Sequence, residues 1–131
     1  MQPITNVIII DDSKEDCYLI KTRLKSLDPD VNVITFFSAQ KAYDYINSES
    51  LNFQAAKNII ILDIYMPVMT GFEFVEEFEN LPEEVQNKYT ICALTSSISK
   101  SNMEKIISYK SVNSFLEKPI KTEDLLKLIK S

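Results

Sequence analysis

Asn58-Ile59-Ile60-Ile61-Leu62-Asp63 decides the fold. A short, continuous, mostly β-branched run has no polar face, so it reads as a strand covered on both sides. Asp63 closes it. The pattern recurs along the chain. Asn6 to Ile10 reads NVIII and stops at Asp11-Asp12-Ser13. Tyr89 to Leu94 reads YTICAL and stops at Thr95-Ser96-Ser97, and Val112 to Leu116 stops just before Lys118-Pro119. Val31 to Phe37, VNVITFF, alternates only partly, which suits a strand nearer the sheet edge.

Helices are expected between these runs. Ser13 precedes a helix from about Lys14 to Ser26, whose apolar stripe is Cys17, Ile20, Leu24 and Leu27. Ser13 and Asp16 have capping-box spacing, with Asp in place of the usual Glu. Asp28-Pro29-Asp30 ends that helix. Ser38 caps a second helix to about Ile46, followed by a polar tail and a long loop from Asn47 to Asn58. Thr70 and Glu73 form a capping box for a helix through Phe78. Gly71 is the chain's only glycine, just inside that start. It reads as relief for close backbone contact or an unusual φ. Leu81 to Glu84 is a linker or short helical turn, Asn102 to Tyr109 is a helix, and Thr122 opens the last one.

Five β-α units in series imply a parallel sheet with helices on both faces. Right-handed crossovers bring every strand-to-helix loop to one edge. Asp11, Asp12, Asp63, Thr95 and Lys118 therefore converge, at the edge where open α/β sheets place their chemistry.

Composition narrows the chemistry. The 131 residues suit one domain, and 45% hydrophobic content supplies a core. The net charge of −5 argues against direct nucleic-acid binding. The chain has no histidine, which removes imidazole bases, Ser-His-Asp triads and His-bound zinc. Cys17 and Cys92 are far apart and read as free thiols in a reducing compartment. No stretch approaches the about 18 apolar residues of a membrane span, so a cytoplasmic protein without membrane insertion is expected.

Clustered carboxylates repel unless a cation or proton joins them. Hard divalent cations take such oxygens, so magnesium, or manganese in its place, fits. Asp12 and Asp63 are the best direct ligands; Asp11 acts through water, and a backbone carbonyl near Tyr65 adds another. Asp63, on the presumed central strand, is also the best nucleophile for an aspartyl phosphate. Lys118, the Thr95 hydroxyl and backbone N–H groups near Tyr65 and Ser96 would then neutralise phosphoryl oxygens. Each residue alone has a plain reading as a turn or cap; the ordered set does not.

The set resembles the response-regulator receiver domain of two-component signalling over essentially the whole chain. Asp11-Asp12 match the family's early acidic pair. Leu62 to Gly71 carries its D-x-x-M-P-x-M-x-G pattern, with Asp63 at the phosphoacceptor position. Thr95 falls on the Thr/Ser switch position, Ser96 on its small neighbour, Phe115 on the aromatic switch, and Lys118-Pro119 on the lysine-proline pair. The resemblance implies a flavodoxin-like (βα)5 three-layer sandwich with strand order 2-1-3-4-5. It implies magnesium-dependent phosphoryl transfer to Asp63 from a sensor histidine kinase or histidine phosphotransfer protein, then slow self-catalysed hydrolysis. Tyr65 and Ser97 fall on positions that tune dephosphorylation. Phosphorylation would draw Thr95 toward the phosphate, turn Phe115 inward and reshape the face of the fourth expected helix, fifth strand and last helix. A downstream protein target, or a homodimer, would use that face.

The chain stops at Ser131, after the last expected helix, so a stand-alone receiver spanning 1–131 without an output domain is expected. Two departures stand out: the long Asn47 to Asn58 loop, and Phe115, which lacks the hydroxyl of tyrosine-bearing relatives. The main alternative is a receiver that binds proteins independently of phosphorylation. An aspartate-nucleophile phosphatase would want an acid two residues past Asp63, where Tyr65 stands. A flavin site would need a phosphate loop where Asp11-Asp12 stand.

Overall fold

A computed structural model describes residues 4–48, 57–96 and 99–130. Its elements are β1 (Thr5–Ile10), α1 (Lys14–Leu27), β2 (Asn32–Phe36), α2 (Ala39–Ser48), β3 (Lys57–Asp63), α3 (Gly71–Phe78), the single turn α4 (Glu83–Gln86), β4 (Thr90–Thr95), α5 (Lys100–Ser108), β5 (Val112–Glu117) and α6 (Thr122–Lys130). All strand pairs are parallel, and the order is β2-β1-β3-β4-β5, the flavodoxin-like order expected. The Asn47 to Asn58 loop lies largely outside the described residues.

The pleat sorts the apolar runs to two cores. Ile8, Ile10, Ile60 and Leu62 face Ala42, Ile46, Phe74, Phe78 and Ile106 of α2, α3 and α5. Val7, Ile9, Ile59 and Ile61 face Cys17, Ile20, Leu24, Leu125 and Ile129 of α1 and α6. The sheet is thus the middle of three layers, which explains why β1 and β3 show no alternation.

Polar side chains pin the register. Asn6 of β1 donates to Asn58 of β3 at 3.0 Å and accepts from Asn32 of β2 at 3.1 Å. At the far edge the β4–β5 ladder shifts between Ile91 and Cys92, and the Asn113 side chain accepts the Ile91 N–H at 3.1 Å.

Element ends follow their caps. Thr70 and Glu73 form the reciprocal capping box. Ser13 accepts from the Asp16 N–H as expected, but the Asp16 carboxylate turns to Lys118 instead of back to the cap. Helix α5 starts two residues before the expected Asn102, because Ser99 caps it by accepting from the Asn102 N–H.

Candidate functional site

Each functional side chain stands where a strand runs out of ladder. Asp11 follows β1; its N–H donates to the Phe36 carbonyl at 3.1 Å. Its Oδ1 accepts from the Ser13 N–H at 2.9 Å, which fixes the carboxylate against the start of α1. Cys17 donates its thiol to the Asp11 carbonyl, and burial pushes that thiol up to about 12, with Asp11 and Asp16 adding to the rise. Asp63 ends β3, and its Oδ1 accepts from the Tyr65 N–H at 3.0 Å. Thr95 ends β4, where its carbonyl accepts the Lys118 N–H at 2.6 Å and ties the β4 and β5 ends together.

The structure brings Asp11, Asp12 and Asp63 together: one carboxylate oxygen from each lies within 4.8 Å of the others. Asp11 and Asp63 are buried, and Asp12 is exposed. Lys118 Nζ lies 2.9 Å from Asp11, 2.8 Å from Asp16 and 3.6 Å from Asp63. Burial works against the ammonium, yet its bonds to Asp16 and Asp11 hold the Lys118 pKa above its usual value. Burial raises the Asp63 carboxyl from 3.8 to about 6. The Tyr65 N–H opposes that rise, Asp11 adds to it, and Lys118 offsets part of it.

A hard cation fits this donor set. Three oxygen donors converge, one on the solvent side, and Asp63 is too desolvated to ionise at its normal pH. Beside them, the Thr95 hydroxyl is fully buried with no hydrogen-bond partner among the described residues. An orphaned buried hydroxyl costs about 1–3 kcal/mol, so its retention asks for a ligand oxygen.

Ser96 is exposed immediately after Thr95, and Phe115 is partly buried against the α2–α3–α5 core. Ser97 lies outside the described residues. Tyr65 is partly exposed, and its phenol oxygen accepts from the Asn102 side chain at 2.9 Å, joining the loop after β3 to the first turn of α5. Asp16 was not among the expected site residues. Its capping-box spacing gave it a complete local reading, and only the fold brings Lys118 to it across 102 positions.

Gly71 sits where a Cβ would lie 2.5 Å from the Ile64 Cα and 2.9 Å from the Asp63 carbonyl oxygen. Close contact is therefore its reason, the first of the two readings the sequence left open. The unusual φ falls on Val68 instead, at 70°. Met69 donates to the Pro67 carbonyl at 2.9 Å, so Val68 is the middle of a three-residue turn of the rare, strained hand. A β-branched residue there stores about 1–3 kcal/mol. The Val68 side chain is 99% exposed, so removing it loses no packing. Val68→Gly is expected to stabilise the fold by about 1 kcal/mol after its added chain entropy is counted. A higher urea midpoint at unchanged m-value checks this; an unchanged midpoint would show that the turn carries no strain.

A parallel sheet of this order, with clustered carboxylates and a lysine at its carboxyl edge, defines the receiver class of signalling domain. The chain belongs to the response regulator receiver domain family, whose sequence profile matches residues 7–130. It is similar to the response regulator Rcp1 of Synechocystis sp., with 26% identity over 94% of this chain and 82% of Rcp1. It is also similar to hybrid signal transduction histidine kinase D of Dictyostelium discoideum, with 30% identity over 77% of this chain but only 6% of that protein. Against ORR1 of Oryza sativa subsp. indica the chain spans about half of the relative's length, 54%. Among solved structures, a response regulator receiver protein from Dyadobacter fermentans superposes with a TM-score of 0.83 at 30% identity, over 96% of this chain and 95% of that one. No helix among the described residues is long and apolar enough to cross a membrane.

Proposed function

We propose that this receiver accepts a phosphoryl group on Asp63 from the phosphohistidine of a sensor histidine kinase or histidine phosphotransfer protein. The observation that carries the reading is the gathering of Asp11, Asp12 and Asp63 beside Lys118 and a buried Thr95 hydroxyl that has no hydrogen-bond partner among the described residues. An Asp63 oxygen forms the new P–O bond as the donor's N–P bond breaks and the electron pair returns to the imidazole. Lys118, Thr95 and the Ser96 N–H take charge from the phosphoryl oxygens. Asp11, Asp12, Asp63 and the Tyr65 carbonyl would hold magnesium, or manganese, which supplies further neutralisation of that charge when bound. Water attack on phosphorus later restores the carboxylate, and Tyr65 and Ser97 fall on the sequence positions that tune the rate of that step.

Phosphorylation acts as a switch in this reading. Thr95 moves to satisfy its hydroxyl on the phosphate, and Phe115 follows into the space it leaves. The face of α5, β5 and α6 then binds a downstream protein or a second copy. Buried, free Cys17 and Cys92 suit a reducing compartment, which supports a cytoplasmic site of action.

The test is a titration with beryllofluoride and magnesium followed by backbone NMR, wild type against Asp63→Asn. Magnesium-dependent binding in the wild type alone is expected, with shifts running from Asp63 through Thr95 to Phe115. No binding in the wild type would favour a receiver that works without phosphorylation. Binding with no shift beyond the site would favour phosphorelay over switching.

A further inference from the structure

We infer that Asp16 is a positioning residue for Lys118, holding the ammonium ready for a phosphoryl group on Asp63. The inference rests on the phosphoacceptor reading of Asp63. Asp16 stands in the first turn of α1, outside the three carboxylates that gather for a cation. Its 2.8 Å contact is the shortest that Lys118 makes to a carboxylate, against 2.9 Å for Asp11 and 3.6 Å for Asp63. Its N–H is held by Ser13 Oγ at 3.2 Å, and the Ser13 N–H is held by Asp11, so Asp16 and Asp11 belong to one braced corner.

An ammonium has three donors. One is spent on Asp16 as a full hydrogen bond at 2.8 Å. Asp11 at 2.9 Å is an ion-pair contact without hydrogen-bond alignment, and Asp63 at 3.6 Å lies just beyond hydrogen-bond reach, so a donor remains for the side where Asp63 lies. A phosphoryl group on Asp63 adds oxygens beyond the carboxylate. The ammonium can therefore receive one without leaving Asp16. A cation on the three gathered carboxylates would draw on the charge of Asp11. Asp16 then remains as the acceptor that belongs to the lysine alone. Without it, a long flexible side chain must be ordered at the moment of transfer, and that entropy counts against the phosphorylated state.

The experiment measures beryllofluoride affinity at saturating magnesium for wild type, Asp16→Asn, Lys118→Ala and the double variant, at concentrations that keep the weakest binder measurable. Asp16→Asn is expected to weaken binding about fivefold, a modest factor because the pair is partly exposed. In the Lys118→Ala background the same change is expected to do nothing further. Magnesium affinity measured alone is expected to stay within about twofold, since Asp16 is not among the gathered ligands. Unchanged or tighter binding by Asp16→Asn overturns the inference, because Asp16 would then be idle or would sequester the lysine. An equal loss with and without Lys118 also overturns it, because a weakened helix start would act that way. If the wild type itself fails to bind, the phosphoacceptor reading falls and this inference with it. Wild-type binding with an idle Asp16 sinks the inference alone.

Discussion

Gly71→Ala is expected to destabilise the protein by about 3 kcal/mol and to weaken beryllofluoride binding as well. Alanine favours helices over glycine by about 1 kcal/mol, so on propensity alone the change would help α3. Sterics reverse the sign. The new methyl would lie 2.5 Å from the Ile64 Cα and 2.9 Å from the Asp63 carbonyl oxygen, and both obstacles are backbone atoms that no rotamer change can move aside. Helix α3 must retreat, or the chain after β3 must shift. Retreat would loosen Phe74 and Phe78, two of the largest fully buried side chains. A shift at Ile64 would strain its N–H bond to Leu94 and the Gly71 N–H bond to Ile64 itself, at 3.2 and 3.1 Å. Asp63 is adjacent, so the carboxylate proposed to accept phosphate moves in either case. For a chain of this size the loss corresponds to a melting temperature lower by about 10 °C. A melting shift under about 2 °C with normal analogue binding would mean that α3 does not brace Asp63.

This position shows what the sequence could and could not disclose. A lone glycine inside a capped helix start reads as close approach or an unusual φ, and the structure selects the first and supplies the two atoms. The strand-ending acids were equally legible, because a polar residue that stops a buried run must emerge at the sheet edge. Val68 was not legible. Its positive φ is imposed by the turn between Pro67 and Met69, and valine carries no composition signal for such a turn. Asp16 was concealed for a different reason. It satisfied a local pattern with Ser13, and its long-range partner becomes visible only once β5 is placed beside β4. The Asn6–Asn32–Asn58 ladder was masked similarly, since reading strands by their apolar runs passes over the polar residues that set register. The start of α5 depended on choosing one cap among Ser96, Ser97, Ser99 and Ser101, and periodicity does not discriminate between them.

In the absence of metal, the advantage of Asp63→Asn over the wild type is expected to grow with pH, by about 2–3 kcal/mol between pH 4 and pH 7. The sign follows from proton uptake. Folding raises the Asp63 carboxyl from 3.8 to about 6, chiefly by burial, so between these values the folded state holds a proton that the unfolded state has released. Stability from this group is fully present below about pH 4 and is lost as pH rises through 6. Above that, the wild type carries an ionised, buried Asp63 beside Asp11, compensated in part by Lys118 at 3.6 Å. Asparagine keeps an oxygen for the Tyr65 N–H and brings no charge. Subtracting the variant from the wild type at each pH removes the contributions of the surface carboxylates remote from Asp63, which both proteins share. Excess magnesium is expected to reverse the order at neutral pH. A cation that binds the folded state stabilises the wild type by mass action, and the variant offers one carboxylate fewer to hold it. Denaturant midpoints at a series of pH values, with chelator and then with excess magnesium, measure both parts. A difference that stays flat from pH 4 to 7 would show that the acidic corner is already balanced by Lys118. The site would then have no electrostatic deficit for a cation to fill, and the pull toward metal would have to come from the geometry of its oxygens alone.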